Sequence, residues 1–289
     1  MFEIKAPATS ANLCCGFDTF GLAVTLYNTF KVEKCDKFIF DGKEEDINNT
    51  NNLILTSMLT TCRFLNKKPI GVKVEVKSDV PSTRGLGSSA TCVVAGIIMA
   101  YKVLGIEVDI DDVFNIASSI EGHPDNVAPC IFGGTTLSYK EDTEFKYYKI
   151  HTNKKYRICA FIPRFKLSTK KARNVLPDKY TREDVVFNIQ RASLLPLSLE
   201  RGDSEFVKDA LQDKIHEPYR KNLINGYDDI VNLTEKYGFI GTYLSGAGPT
   251  IMGIYEGNIN LRKLDYDIKK LKDKYDLYPL KIDFDGVKY

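Results

Sequence analysis

The chain has 289 residues, with 40 lysines and arginines against 38 aspartates and glutamates, so its formal net charge is +2. This near balance excludes a strongly basic nucleic-acid-binding protein. A hydrophobic content of 43% with 27% charged residues is typical of a soluble globular protein. The length allows one large domain or two moderate ones.

The sequence also disfavours a secreted or membrane protein. The first residues lack a basic segment followed by an apolar one, so we expect no signal peptide. The longest apolar run, 92–101, is too short to span a bilayer. The seven cysteines form no CxxC pair, which is typical of free thiols in a reducing compartment. We therefore expect a cytoplasmic protein that binds neither nucleic acid nor a membrane.

Hydrophobic periodicity predicts helices interspersed with antiparallel strands. In chain order we expect a strand over 30–40, a turn at 41–42, a polar loop over 48–52 that caps a helix over 53–65, a strand over 71–77, helices over 88–104 and 111–120, a strand within 155–163, a helix over 183–199, a strand–turn–strand unit over 239–255 and a helix over 261–275. This mixture favours an α+β fold. A boundary near residue 152 would separate residues 1–152 from residues 153–289.

A glycine-rich segment, PSTRGLGSSAT over 81–91, precedes the most apolar of these helices. Gly85 and Gly87 allow tight turns and a close approach of the backbone to a ligand. The helix would begin at Ser88 and Ser89 with free N–H groups and a positive dipole end, which together favour phosphate. The segment is not a Walker A loop, since no GK[ST] follows.

Two other interpretations of this segment are possible. Gly85, Gly87 and Ala90 fit the GxGxxA pattern of dinucleotide-binding folds, with Glu107 near the expected position of the ribose-binding acid. We reject this interpretation because the pattern must follow directly on a buried strand, whereas residues 78–84 intervene here. The second alternative is a turn that only caps the helix.

Polar residues also crowd the segment EGHPDNVAPCIFGG over 121–134. Glu121, His123, Asp125 and Asn126 precede a short apolar stretch, which we expect to be a strand. A carboxylate beside a phosphate loop can ligate Mg²⁺, and a second can orient or deprotonate a hydroxyl group. For His123 alone, the alternative is a buried histidine with satisfied hydrogen bonds.

Two further segments indicate a functional site only in combination with the two described above. Residues 244–250, LSGAGPT, form a glycine-rich turn between apolar stretches, and residues 6–21 place Asn12 and Asp18 in a stretch too apolar for a surface loop. Cys14 and Cys15 could suggest a redox pair. Adjacent cysteines bridge only with strain, so simple packing is the preferred interpretation.

Together these segments resemble the motifs of the GHMP small-molecule kinases, which the chain contains in order from about residue 5 to residue 255. The shared motifs are PATSANL with GFDTFGLA, the PxxxGLGSSA loop and the SGAGPT turn. Within that superfamily, EGHPDNVAP, LSTKKARNVLP and EPYRKNLINGY are most similar to homoserine kinases.

The resemblance implies a two-domain GHMP kinase fold of the α+β class. An N-terminal domain like that of ribosomal proteins, residues 1–152, would carry the ATP-binding loop, and residues 153–289 would form a ferredoxin-like C-terminal domain. The implied activity is ATP-dependent phosphorylation of the L-homoserine side-chain hydroxyl to O-phospho-L-homoserine in threonine biosynthesis. ATP and Mg²⁺ would be the cofactors, and the protein would be a homodimer.

The resemblance also implies roles for individual residues. The ATP phosphates would be bound by the glycine-rich loop, which consists of Pro81, Ser82, Thr83, Arg84, Gly85, Leu86, Gly87, Ser88, Ser89, Ala90 and Thr91. The metal would be held by Ser89 and Glu121, although an ungapped match places the metal-binding acid at Asn115, which carries no charge.

The amino-acid substrate would be bound by residues from both halves of the chain, namely Asn12, Asp18, His123, Thr169, Arg173, Arg220 and Gly246. A guanidinium group suits a carboxylate, and Asp18 suits an α-ammonium group. The catalytic residues would be Asp125 and Asn126, which would face the reacting hydroxyl. Whether Asp125 acts as a base or only positions the substrate is open at this point.

Two alternatives for the function follow from the same residues. Another GHMP kinase, acting on mevalonate or a related alcohol, is the nearest one. Arg173 and Arg220 with Asp18 favour a zwitterionic amino acid over such an anion. The other alternative is a non-catalytic sensor, which the presence of the intact glycine-rich loop and the acidic residues disfavours.

Overall fold

Two sheets with helices packed against them organise residues 1–42 and 52–289, the part of the chain that this computed structural model describes. Its strands are β1 (Phe2–Ala11), β2 (Phe20–Lys34), β3 (Ile39–Gly42), β4 (Val72–Ser78), β5 (Thr135–Glu141), β6 (Glu144–Ile150), β7 (Arg157–Pro163), β8 (Gly241–Leu244), β9 (Ile251–Tyr255) and β10 (Tyr275–Leu280). Its helices are α1 (Leu53–Phe64), α2 (Ser88–Leu104), α3 (Ile110–Glu121), α4 (Val127–Phe132), α5 (Thr169–Asn174), α6 (Arg182–Arg201), α7 (Ser204–Ala210), α8 (Glu217–Arg220), α9 (Tyr227–Lys236) and α10 (Leu261–Lys270).

The first sheet is built around the long strand β2. Strand β1 pairs with β2 along its length, with a register shift between Pro7 and Ala8, where proline cannot donate to the ladder. Strands β4 and β5 pair with different parts of β2, residues 28–34 and 20–22. The resulting order is β3-β4-β2-β5-β6 with β1 beside β2, and only β3 and β4 are parallel.

Helix α2 forms the centre of the first half. Twelve of its 17 residues are buried, as expected for a helix that is apolar on all sides. It packs against α1, α3 and β1, so surrounding elements fix its position. Its N-terminus follows the loop after β4, and this arrangement holds the glycine-rich segment at one end of a rigid helix.

The second sheet has the antiparallel order β10-β7-β9-β8, with α9 and α10 packed against it. A buried apolar cluster that includes Leu22, Ile158 and Met252 joins the two sheets. After β10 the chain returns to the first sheet, where Lys288 bridges to Lys5. The boundary that we proposed at residue 152 lies in the connection between β6 and β7, although the last residues of the chain lie against the first sheet.

The structure confirms the predicted helices over 88–104, 111–120 and 183–199 to within two residues at each end. The helix over 53–65 is also confirmed, and Asn52 caps it by accepting from the N–H groups of Ile54 and Leu55. The rest of the predicted polar loop, 48–51, lies outside the described residues.

Four sequence predictions are wrong. The single strand expected over 30–40 is instead the end of β2, which runs from Phe20 to Lys34, followed by a break over 35–38 and the start of β3. Residues 41–42 belong to β3 rather than to a turn. The apolar stretch after Asn126 is helix α4, because a six-residue apolar run does not distinguish helix from strand. The last helix ends at Lys270, where Leu271 adopts an extended conformation, and Tyr275 begins β10.

Within residues 1–42 and 52–289, none of the helices is both long and apolar enough to cross a bilayer.

Candidate active site

A cavity of about 350 Å³ lies where connecting segments from both halves of the molecule meet. Its walls include the turn after β1, the β4–α2 loop, the α3–α4 loop and the β8–β9 turn, with contributions from α5 and α8. This volume is within the range of small-molecule sites. The cavity therefore draws together segments that are far apart in the sequence.

The glycine-rich loop is held in place by close backbone contacts. Gly85 has a φ of +73°, and a Cβ there would lie 2.3 Å from the carbonyl oxygen of Ser245. Gly87 has a φ of +65°, and its Cβ would lie 1.9 Å from Oγ1 of Thr9. Both positions require glycine, because any side chain would be strained and would also clash.

The first turn of α2 presents backbone donors to this cavity. Gly87 is the N-cap, and no side chain in the described part of the chain caps the helix. Ser88 and Ser89 line the cavity. The uncapped N–H groups and the positive end of the helix dipole make this turn a site for an anion.

The other residues of the predicted phosphate loop have different positions. Thr83 to Leu86 line the cavity together with Gly87, and Ser82 lines a second cavity. Pro81 lies in a groove beside Arg164. Ala90 and Thr91 are fully buried, and Thr91 accepts a hydrogen bond from Asn28.

Ser89 and Glu121 lie next to each other, since Oγ of Ser89 is 2.5 Å from Oε1 of Glu121. Burial raises the pKa of Glu121 above its ordinary value, even though the Ser89 hydroxyl opposes the shift. Asn115, the alternative metal ligand, does not line the cavity. Its Nδ2 donates to Asp111, and its Oδ1 accepts from the N–H of Phe145, so it connects α3 to β6.

A hydroxyl and a carboxylate oxygen are the hard donors that Mg²⁺ prefers. The described residues contain no cluster of three or more His, Cys, Asp or Glu side chains with metal-site geometry. A site of few protein ligands still fits Mg²⁺, which commonly uses one or two carboxylates together with substrate phosphates and water. The pair Ser89 and Glu121 therefore fits the metal that we expect, and Asn115 does not.

The α3–α4 loop carries the predicted catalytic residues. Asp125 is 3% exposed, and its Oδ1 lies 2.6 Å from Nδ1 of His123. This hydrogen bond raises the pKa of His123 above its ordinary value, although burial opposes the shift. Asn126 accepts from the hydroxyl of Thr9 at 2.8 Å, and its Nδ2 lies 3.4 Å from Oδ1 of Asp125.

Opposite charges from the two halves of the chain line the rest of the cavity. Asp18 and Arg173 form a bidentate pair with N–O distances of 3.0 and 3.1 Å. Arg220 is 2% exposed and donates to the carbonyl oxygens of Ala172 and Gly246 at 3.1 and 3.0 Å. Burial lowers the pKa of the Arg220 guanidinium group.

All seven residues predicted to bind substrate line this one cavity, namely Asn12, Asp18, His123, Thr169, Arg173, Arg220 and Gly246. Asn12 connects two parts of its wall, because Nδ2 donates to Gly246 at 3.1 Å and Oδ1 accepts from the N–H of Asp18 at 3.0 Å.

The turn after β1 has an unusual backbone. Asn12, Leu13 and Cys14 have consecutive φ values of +73°, +42° and +67°. Each left-handed residue other than glycine costs free energy, so surrounding contacts must hold this turn. Cys14 supplies two of them, since its carbonyl oxygen lies 2.7 Å from Nε2 of His216 and its thiol donates to Glu217.

The two adjacent cysteines are buried and unbridged. Burial raises the pKa of both thiols, in the case of Cys15 to about 12. Thiols that stay protonated react slowly with oxidants and alkylating reagents. These observations favour the packing interpretation over a redox pair.

Sequence reasoning missed Phe17, whose ring centroid lies 5.0 Å from the guanidinium carbon of Arg220. It also missed a second cavity of about 240 Å³ with a largely apolar wall. That cavity is formed by Asn28, Asn52, Leu53, Ile54, Ser78 and Cys92 together with Ser82, Thr83, Ser88 and Ser89 of the glycine-rich loop. Phe17 could have been identified from the sequence because it directly precedes Asp18, a predicted site residue. The second cavity has no such local sequence signal.

Comparison with known proteins agrees with this geometry. The family model for the GHMP kinases N terminal domain matches residues 52–134, and the model for the GHMP kinases C terminal domain matches residues 197–270. The chain is 41% identical to a homoserine kinase of Clostridium botulinum strain Okra, over 98% of this chain and 96% of that protein. The chain belongs to the homoserine kinase family of the GHMP kinases.

Another member of this family, the homoserine kinase of Clostridium acetobutylicum, is 40% identical over 99% of both chains. The crystal structure of homoserine kinase from Cytophaga hutchinsonii superposes with a TM-score of 0.88 at 27% identity, over 99% of this chain and 96% of that one. The predicted two-domain α+β GHMP kinase fold is therefore confirmed. Membership of the family also makes the chain an ATP-dependent kinase of a small molecule.

The hydrogen bond between His123 and Asp125 predicts a pH-dependent contribution to stability. The pKa of His123 is raised in the folded protein, so the folded state binds this proton more tightly than the unfolded state. We expect His123→Asn to be most destabilising below about pH 6.5. The difference in free energy of unfolding from the unmodified protein should then shrink as pH rises through the folded-state pKa.

Urea unfolding of both proteins across this pH range measures the difference. His151→Asn is the matched control, because His151 is exposed, and its effect should stay small at every pH. A destabilisation by His123→Asn that grows as the pH rises would contradict the prediction.

Proposed function

We propose that the protein transfers the γ-phosphoryl group of ATP to the side-chain hydroxyl of L-homoserine and releases O-phospho-L-homoserine for threonine biosynthesis. The observation that carries the proposal is that one cavity combines an anion-binding helix start with Asp18, Arg173 and Arg220. An amino acid has the two charges that these side chains complement. Its hydroxyl would lie near Asp125 and Asn126, which line the same cavity.

The binding of a zwitterion would exchange charge partners in this cavity. Asp18 and Arg173 pair with each other in the structure. The α-ammonium group of L-homoserine would bind Asp18. The carboxylate of the substrate would bind Arg173 and Arg220 through charge-assisted hydrogen bonds. Mevalonate carries no ammonium group, so it would leave Asp18 without a cation from the substrate.

The nucleotide would occupy both cavities. The phosphates would bind the N–H groups at the start of α2 and in the loop around Gly85 and Gly87. The adenine ring would lie in the second cavity, whose wall is largely apolar and includes Leu53 and Ile54. Since Ser88 and Ser89 line both cavities, a single ligand could span them.

Ser89 and Glu121 would hold Mg²⁺, which supplies neutralisation of the phosphate charge when it is bound. A nearby cation would also stabilise the charged form of the Glu121 carboxylate, which burial disfavours in the structure.

Asp125 and Asn126 would orient the substrate hydroxyl. One oxygen of Asp125 is engaged by His123, and Thr9 fixes the amide of Asn126 beside Gly87. These contacts hold both side chains in a single orientation beside the phosphate loop. Phosphoryl transfer depends chiefly on positioning and on charge neutralisation, and a carboxylate at this place can also take the hydroxyl proton.

The substrate is tested by ADP release from Mg-ATP with L-homoserine, L-serine, mevalonate or no acceptor. We expect turnover with L-homoserine alone, and loss of that turnover when a chelator removes Mg²⁺. Turnover with mevalonate would overturn the roles of Asp18, Arg173 and Arg220. Binding of ATP without turnover on any acceptor would instead favour the sensor.

The role of Asp125 as a proton acceptor predicts the effect of Asp125→Asn. The substitution keeps the size of the side chain but removes its basic group, so we expect kcat to fall by about 10²–10⁴-fold. Asp142→Asn is a matched control on an exposed turn with a left-handed φ that asparagine tolerates, and it should leave kcat unchanged. A fall of less than about tenfold in Asp125→Asn would leave this residue a positioning role only.

We also propose that the protein is a homodimer, while the expected cytoplasmic location stays a prediction. Five exposed apolar side chains lie on the neighbouring helices α6 and α7, namely Val185, Val186, Ile189, Leu197 and Phe206. The proposal treats them as one apolar surface patch. Such a patch on a surface marks an interaction site. The proposal therefore assigns this patch to a second copy of the chain.

Sedimentation equilibrium should give twice the mass of one chain. Ile189→Asp should shift the protein towards the monomer, because it places a charge at the most exposed of these five side chains. Tyr148→Asp, at an exposed aromatic residue on β6, is the control that should leave the dimer intact. A monomeric unmodified protein, or a dimer that both variants retain, would contradict the assignment.

A further inference from the structure

His216 is a fully buried histidine that contacts residues of the cavity from behind. Its Nε2 lies 2.7 Å from the carbonyl oxygen of Cys14, and its Nδ1 lies 3.4 Å from Nη1 of Arg220. Its ring stacks on Phe17, with centroids 5.2 Å apart and planes inclined by 25°. His216 therefore touches both the left-handed turn after β1 and the arginine that faces the substrate.

These two contacts select one form of the imidazole. A carbonyl oxygen only accepts a hydrogen bond, so Nε2 must carry a proton. A guanidinium group only donates, so Nδ1 must carry a lone pair. Only the neutral Nε2–H tautomer satisfies both partners, and protonation of Nδ1 would place two cations against each other.

A neutral partner matters because of the other groups around Arg220. Its remaining hydrogen bonds go to the carbonyl oxygens of Ala172 and Gly246, and the described residues include no carboxylate that forms a salt bridge with it. Arg220 thus keeps its full charge for an anion in the cavity. A carboxylate at position 216 would hold the guanidinium group equally well but would compete with that anion.

A carboxylate also lies close to the ring, since Oδ2 of Asp213 is 3.7 Å from Nε2 of His216. Asp213 is occupied by other donors, since its Oδ2 accepts from the N–H groups of His216 and Glu217, each at 2.7 Å. Its Oδ1 accepts from Nδ2 of Asn188 at 2.8 Å. Asp213 therefore anchors the backbone at the start of α8, and Nε2 remains directed at Cys14.

We propose that His216 is a positioning residue for recognition of the amino acid. By accepting from Arg220 and donating to Cys14, it would fix the distance between the cation for the substrate carboxylate and the turn that carries Asn12 and Asp18. The inference rests on the proposed function, in which Arg220 and Asp18 bind the two charges of L-homoserine. The side-chain hydrogen bonds and the ring stacking found for His216 within the described chain go to Cys14, Arg220 and Phe17, and none of these belongs to the glycine-rich loop.

Steady-state kinetics of two variants tests this role. His216→Phe keeps a ring for stacking on Phe17 and removes both hydrogen bonds. We expect it to raise the KM for L-homoserine by about 10- to 100-fold, as for the loss of hydrogen bonds to a charged group. The KM for ATP and kcat should change by less than about threefold, because the phosphate loop and Asp125 stay in place.

His216→Asn retains an acceptor close to the position of Nδ1, so its KM for L-homoserine should lie between those of the unmodified protein and His216→Phe. His151→Phe is the matched control at an exposed histidine, and its constants should equal those of the unmodified protein. An unchanged KM for L-homoserine in His216→Phe, or equal changes in both substrate constants, would overturn the inference.

The tautomer gives a readout that does not depend on activity or on the folding of a variant. The chain has three histidines, so His123→Asn and His151→Phe assign the ¹⁵N signals of all three side chains. We expect His216 to be the neutral Nε2–H tautomer, and a neutral Nδ1–H tautomer or an imidazolium at neutral pH would overturn the proposal. Absence of L-homoserine kinase activity in the unmodified protein would instead contradict the proposed function.

Discussion

The backbone of Gly246 is the point on which the part of the cavity proposed for the substrate depends. Its N–H donates to the carbonyl oxygen of Ala11 at 3.1 Å. Its own carbonyl oxygen accepts from Nδ2 of Asn12 at 3.1 Å and from Nη1 of Arg220 at 3.0 Å. The backbone of a single residue in the second half therefore contacts the end of β1, the left-handed turn and the buried arginine.

The same turn is hydrogen-bonded to the glycine-rich loop, which would bind the nucleotide. The hydroxyl of Ser245 donates to the carbonyl oxygen of Gly85 at 2.5 Å. The N–H of Thr250 donates to the carbonyl oxygen of Arg84 at 3.3 Å. A displacement of this β8–β9 turn would move both the glycine-rich loop and the left-handed turn after β1. Phosphoryl transfer requires the two reactants to meet in a defined geometry, so a shared support for both sides has a direct functional use.

The sequence predicted the loops of the site better than the elements that carry them. Gly85 and Gly87 are recognisable because their left-handed φ values and their close contacts with Ser245 and Thr9 exclude every other residue there. The short apolar run after Asn126 is compatible with the periods of both a strand and a helix, so the sequence favours the wrong one and only the packing of α4 decides between them. The choice between Glu121 and Asn115 as the proposed metal ligand likewise depends on the three-dimensional structure. Both residues lie on α3, but only Glu121 contacts Ser89, whereas Asn115 contacts Phe145.

Contacts between distant parts of the chain were beyond prediction from a single sequence. The second cavity brings β2, β4 and the start of α1 next to the phosphate loop, and no local pattern marks that meeting. His216 is a similar case, because its function depends on a backbone carbonyl oxygen about two hundred residues away. Every residue has a backbone carbonyl oxygen, so the identity of a residue does not show whether its carbonyl accepts a hydrogen bond from a distant side chain.

The two arginines that line the cavity differ in burial and in the partners that they contact. The Asp18–Arg173 pair is 35% and 43% exposed, and exchange of such a pair for the charges of a ligand costs about 0–1 kcal/mol. Arg220 is buried and donates to neutral acceptors, and among residues 1–42 and 52–289 no carboxylate forms an ion pair with it. A zwitterion would thus gain a fixed, desolvated cation at Arg220 while it exchanges partners with the weak surface pair. Recognition of the carboxylate would then depend mainly on the rigidity of Arg220, which is the property that His216, Ala172 and Gly246 together provide.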